Sequence, residues 1–156
     1  MESTYGGRFH EAPSRDDETF CRAIKEALEL GGRVYIPAFA VERTQQLLYL
    51  LNRAYHEGTL PLLPVYVDSP MAVGATEIFR IHPECFNKEV YDFLFREKDP
   101  FCFEQLRLIR SVGESQALNK MNGQAIIISA SGMCEAGRIL HHLANNIGDP
   151  KNTVLL

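Results

Sequence analysis

The sequence has few of the signatures that mark a self-contained catalytic centre. Its four cysteines, Cys21, Cys85, Cys102 and Cys134, are scattered and form no CxxC pair, which excludes a zinc ribbon. Its five histidines, His10, His56, His82, His141 and His142, include no HxH or HExxH arrangement. His141 and His142 are adjacent, so on a helix they point about 100° apart and make a poor chelating pair. GxSxG, GxxxxGK[ST] and GxGxxG are missing, which leaves a serine elbow, NTP hydrolysis and dinucleotide binding without support. No apolar run approaches the roughly 20 residues that span a bilayer. The opening residues, Met1 to Gly6, lack the basic-then-apolar order of a secretory signal. No membrane association is therefore expected. Scattered cysteines in a chain large enough not to need disulfides read as free thiols of a reducing compartment, the cytoplasm. A cationic excess is also absent. Sixteen Lys and Arg stand against 20 Asp and Glu, a net charge of −4. That argues against a protein that coats nucleic acid and leaves room only for a focal phosphate site.

What is present is an ordinary globular composition with a regular pattern. The chain has 156 residues, 46% of them apolar and 23% charged. A chain of this length buries roughly 70% of its unfolded surface, enough for a single domain over residues 1–156. Short apolar runs occur at Arg33–Ile36, Pro64–Val67, Ala125–Ile128 and Thr153–Leu156. They are apolar on consecutive positions rather than alternating, the habit of parallel strands covered on both faces. Amphipathic stretches lie between them. Phe20, Ala23, Ile24, Ala27 and Leu28 share one helical face, with Ser14 as the expected N-cap and Gly31 as the stop. Leu47, Leu50, Leu51, Ala54 and Tyr55 share another, ended by Gly58. Further helices are predicted from Met71 to His82, Lys88 to Arg96 and Arg138 to Asn146. Residues 99–122 carry the weakest pattern. Alternation of this kind predicts an α/β fold of three layers, a mostly parallel sheet flanked by helices.

Ligands of such sheets bind beyond the carboxyl ends of the strands. Three loops should reach that edge: Pro37–Ala40 leading to Arg43, Asp68–Met71, and Ser129–Met133 leading to Gly137 and Arg138. Small residues permit close backbone approach, helix N-termini attract anions, and forked guanidinium groups suit phosphate oxygens. The same residues also read as turn formers and solvated charges. Glu2 and Asp68 could act as a carboxylate pair in acid–base chemistry, and Asp68 equally reads as a cap or turn residue.

Taken in order, the segments converge. Glu2–Gly6, Gly31–Ala40, Arg43–Gln45, Val67–Ala72, and Ser129–Cys134 with Gly137, Arg138 and His141–Leu143 resemble the β-CASP region of the metallo-β-lactamase-fold nucleases. That group includes ribonuclease J and the cleavage-and-polyadenylation endonuclease, and the likeness is greatest to members acting on RNA. The resemblance implies a cap domain inserted in a metallo-β-lactamase domain, with RNA threading the cleft between them and two zinc ions activating water. It implies that Glu2 supports a catalytic-site histidine without touching metal. It further implies that Arg43, Asp68, Ser69, Ser131, Gly132, Met133 and Arg138 face the substrate. HxHxDH and the later histidine motifs of the family do not occur in the chain, so no zinc is expected on these residues. The segment reads as excised from a longer chain, inactive alone. A homo-oligomer, or a binding module without catalysis such as a nucleotide-binding α/β domain, is the competing expectation. The family usually has glycine where this chain has Glu42. An acid there weakens phosphate attraction at Arg43.

Overall fold

The computed structural model describes residues 6–7, 13–97 and 99–156, with the side chains of 13–16 and 97 excepted. The elements are α1 (Pro13–Glu29), β1 (Val34–Pro37), α2 (Arg43–His56), β2 (Val65–Asp68), α3 (Pro70–Ile81), a 3-10 turn (Pro83–Cys85), α4 (Lys88–Glu97), β3 (Leu106–Ile109), α5 (Val112–Lys120), β4 (Ile126–Ser129), α6 (Arg138–Asn146) and β5 (Thr153–Val154). All strand pairings are parallel, in the order β3-β2-β4-β1-β5. The predicted three-layer α/β architecture is therefore the observed one.

Each strand places alternate residues on opposite faces, and the two faces carry different layers. Val34, Ile36, Val65, Val67, Ile126 and Ile128 join Ile24 and Ala27 of α1, Leu47, Leu48 and Leu51 of α2, and Ala72 and Val73 of α3 in the larger core. The opposite face presents Tyr35, Ile127 and Ile109 to Leu118 of α5 and Leu143 of α6. The interior strands β1 and β4 are buried at every position. The consecutive apolar runs have that cause.

Two expectations need correction. Ser14 is not the N-cap of α1, because the helix already starts at Pro13. Proline suits the first helical position, where its missing N–H bonds nothing in any case. The terminal run Thr153–Leu156 is not a strand covered on both faces. β5 holds two residues at the sheet edge, both half-buried, and Leu156 is exposed. The weakly patterned segment 99–122 contains a strand and a helix, β3 and α5.

Candidate functional site

Because the sheet is wholly parallel, every strand delivers its carboxyl end to one edge. β1 ends at Pro37, β2 at Asp68, β3 at Ile109 and β4 at Ser129, and α2, α3, α5 and α6 begin just beyond. The edge thus gathers Arg43, Asp68, Ser69, Arg110, the loop 130–137 and Arg138.

At its centre Asp68 is completely buried. Oδ1 accepts from Arg138 Nη1 at 2.6 Å, and Oδ2 accepts the Ser115 hydroxyl at 2.5 Å and faces His142 Nε2 at 2.6 Å. The Asp68 carbonyl accepts the Ser129 hydroxyl at 2.9 Å. Burial alone would raise the Asp68 pKa, but hydrogen bonds from His142, Ser115 and Arg138 outweigh it and hold the carboxyl below its ordinary value. The cap of α3 is instead Ser69, whose hydroxyl accepts the Ala72 N–H at 3.2 Å. The cap reading of Asp68 is thereby replaced by that of a buried ion-pair acceptor. Arg138 is one-fifth exposed. Besides Asp68 it donates to the Arg110 carbonyl at 2.9 Å, so its fork is held on two sides while an edge stays open.

The loop 130–137 folds on itself. Ser131 N–H donates to the Ala136 carbonyl at 3.1 Å, Cys134 N–H to the Ser131 carbonyl at 3.2 Å, and Met133 N–H to the Ser131 hydroxyl at 3.3 Å. Gly137 has φ +79°, and a Cβ there would lie 2.3 Å from the Ala130 carbonyl oxygen, which fixes glycine at this position. Gly132 lies over Phe39, whose ring carbons would stand 3.1 Å from an added Cβ. Ser131 and Gly132 are half-buried and Met133 is exposed.

Arg43 differs from Arg138. It is exposed, and Nη1 donates only locally, to Gln46 at 2.9 Å. Glu42, just before it, has φ +73° and ψ −65°, and the Arg43 N–H reaches back to the Val41 carbonyl at 3.0 Å. This is the strained γ-turn of positive φ that only glycine adopts freely.

Glu2 lies outside the described residues, so its pairing with Asp68 is not part of this geometry, and His10 lies outside them too. Sequence reasoning missed Ser115, Asn119 and Asn146, and weighed His142 only as half of a poor chelating pair and as part of a family-like segment. His141 is exposed and His142 fully buried, the divergence that adjacent helical positions require. The available signal was the helical face Ile139, His142 and Asn146, which sets two polar residues on the buried side. Among the described residues no three His, Cys, Asp or Glu side chains come together to hold a metal, so these residues do not fit the zinc ions that the resemblance implies. No described helix is long and apolar enough to cross a membrane.

The fold and this edge define a parallel α/β domain with an arginine-bearing rim at the carboxyl ends of its strands. The chain belongs to the Beta-Casp domain family, which it matches over residues 44–156. It is 37% identical over 99% of its length to Ribonuclease TTHA0252 of Thermus thermophilus, of which it covers 35%. It is 32% identical over 99% of its length to Transcription termination factor FttA of Methanococcus maripaludis, covering 25% of that protein. It is 32% identical along its whole length to an RNase J-like protein of Methanocaldococcus jannaschii, covering 35%. The chain therefore spans between a quarter and about a third of these relatives.

Proposed function

We propose that this chain is the substrate-positioning cap of a zinc-dependent RNA phosphodiesterase. The observation that carries this reading is the shared sheet edge, where Arg43, Arg138 and the backbone of loop 130–137 lie together in a chain 37% identical to a ribonuclease throughout. Arg138 presents a held guanidinium to a phosphate. Arg43 supplies an exposed one, held only by Gln46 of its own helix. Ser131, Gly132 and Met133 give the backbone close approach, and Ser69, committed to its helix cap, shapes the floor. Two zinc ions, held by residues other than these 156, would activate water and stabilise the developing charge. Glu2 would orient a ligand histidine there.

The metallo-β-lactamase domain of the same protein is the proposed partner. The exposed apolar side chains of Phe39, Val41, Met71 and Met133 around the edge favour such a covering surface, and a second copy of the chain would bury the same residues. The chain alone is expected to be inactive. A zinc-supplemented cleavage assay on a short oligoribonucleotide tests this, and robust turnover by the 156 residues would overturn the cap reading. Loss of oligoribonucleotide binding on replacing Arg43 and Arg138 together is the second expected result. Unchanged binding would remove the phosphate site.

A further inference from the structure

The hydrogen-bond polarity of the network beneath the site determines the state of a histidine. Arg33, at the start of β1, can only donate. Its Nη2 lies 2.9 Å from Asn146 Oδ1, which makes that atom the amide oxygen. Asn146 Nδ2 is then the donor, and it reaches the His142 carbonyl at 2.8 Å and Asn119 Oδ1 at 2.9 Å. Asn119 Oδ1 is thereby fixed as an acceptor. His142 Nδ1 lies 2.8 Å from this same oxygen, and two acceptors do not bond, so Nδ1 carries a hydrogen. On the other side Nε2 faces Asp68 Oδ2 at 2.6 Å, an oxygen of a carboxylate that already accepts from Ser115 and Arg138. An ionised carboxylate only accepts, so Nε2 carries a hydrogen as well.

We propose that His142 is a buried imidazolium, protonated on both ring nitrogens, and that it is a positioning residue for Arg138. The groups against its ring are Asp68 from β2, Asn119 from α5 and Tyr35 from β1, with ring centroids 6.1 Å apart; Ser115 of α5 and Arg138 of its own helix meet the same Asp68 carboxylate, and Glu114 of α5 acts on Arg138. With a neutral imidazole, Asp68 and Arg138 cancel. With an imidazolium, one carboxylate faces two cations and a positive charge is left over. Arg138 is the member of this trio that reaches the solvent. Asp68 can therefore hold the Arg138 fork in place while cancelling less of its charge than it would with a neutral imidazole, even though the Glu114 carboxylate also acts on Arg138. Burying a charged imidazole is costly unless it is paired and hydrogen-bonded, and both conditions are met here. The consequence for phosphate rests on the RNA reading above. The protonation state does not.

The test is a 15N-resolved spectrum of the histidine rings of the 156-residue chain at neutral pH, with the His142 signals assigned by their loss in His142→Gln. Two pyrrole-type nitrogens with slowly exchanging protons are expected, and one pyridine-type nitrogen at His142 overturns the imidazolium. The guanidinium protons of Arg138 give the second readout. Their exchange should quicken about tenfold in His142→Gln, the equivalent of one charge-assisted hydrogen bond weakened. Unchanged exchange overturns the positioning role. Should the Gln variant fail to fold, the wild-type ring spectrum still decides the first claim, and Asn119→Leu, which removes the Nδ1 acceptor, replaces it for the second. Oligoribonucleotide affinity about tenfold lower in His142→Gln completes the set. A wild-type chain that binds no oligoribonucleotide sinks the RNA reading while leaving the spectroscopic results to stand.

Discussion

Two arginines open helices at the same sheet edge, and they are held in opposite ways. Arg138, at the start of α6, is locked between the buried Asp68 carboxylate and the Arg110 carbonyl. Arg43, at the start of α2, leans on Gln46 in solvent. The lock belongs to the α5 and α6 face of the sheet, where buried polar side chains continue from Asp68 through His142, Asn119 and Asn146 to Arg33. The exposed arginine belongs to the α1 to α4 face, where the buried polar side chains next to it, Thr44 and Gln45, bond backbone carbonyls and Thr76 rather than Arg43. A fixed guanidinium loses little entropy on meeting a phosphate, while a free one can follow a backbone that varies. One edge thus joins a rigid reference point to an adaptable contact.

The comparison breaks most visibly at Asp68. In Asp68→Ala the Arg138 guanidinium and His142 lose their common acceptor inside the protein, and stability should fall by about 3–5 kcal/mol, as when one partner of a buried ion pair is removed. Chemical denaturation measures it. Asp68→Asn adds a sign test. The folded carboxyl is held below its ordinary value, so its contribution is complete above the unfolded value and is lost as the pH falls through the folded one. The wild type should therefore lose stability along that acid limb, and the Asn variant should lack this part of the loss. A variant with an unaltered acid limb would show that Asp68 is not the group responsible.

Gly137→Ala comes next. The added Cβ would meet the Ala130 carbonyl oxygen at 2.3 Å in a positive-φ backbone, and a cost of about 2–3 kcal/mol is expected in thermal melting. Loop 130–137 and the Arg138 end of the edge should be disturbed together. A silent substitution would mean that the loop is far softer than its hydrogen bonds imply.

The asymmetry of the edge also governs what could be read from the chain. β1, β2 and β4 announced themselves because interior parallel strands are covered on both faces and so are apolar at successive positions. β3 did not. It is an outer strand with Arg107 exposed in its middle, and Leu106–Ile109 alone does not distinguish a strand from a loop. β5 fooled the pattern in the other direction, since an apolar run at the sheet edge looks like one in its centre. The loops bearing Arg43, Asp68 and Ser131 were legible because a parallel sheet must send them to one side. Ser115 and His142, the partners of Asp68, were not, because they lie 47 and 74 residues from it along the chain and only the packing of α5 and α6 on the sheet brings them together.

Single replacements of the two arginines test the division of labour directly. Arg43→Ala should leave stability within about 0.5 kcal/mol, as for an exposed side chain with one local contact. Its effect should fall on oligoribonucleotide binding, with the slope of log affinity against log salt reduced by about 0.7 for one lost phosphate contact on a single strand. Arg138→Ala should lower stability and affinity together, because it takes from buried Asp68 the donor on Oδ1 as well as removing the guanidinium proposed to meet a phosphate. If the two variants behaved alike, the distinction between a locked and a free arginine would have no functional content.

The smallest effect is the most specific. Glu42 occupies a γ-turn at φ +73° that a residue with a Cβ enters only under strain, at roughly 1–2 kcal/mol. Glycine relieves the strain but gives the unfolded chain more freedom, which costs about 0.5–1 kcal/mol. Glu42→Gly should therefore change stability by about 0 to 1.5 kcal/mol in the stabilising direction, a rise of a few degrees at most in melting temperature. The same change removes a carboxylate beside Arg43, so oligoribonucleotide affinity should rise at low salt and the gain should fade as salt screens the pair. Strain and charge separate in Glu42→Gln, which keeps the Cβ and discards the charge: it should reproduce the affinity gain without the stability gain. An affinity gain from Gly but not from Gln would assign the effect to the turn and locate the adaptability of this half of the edge in its backbone rather than in the Arg43 side chain.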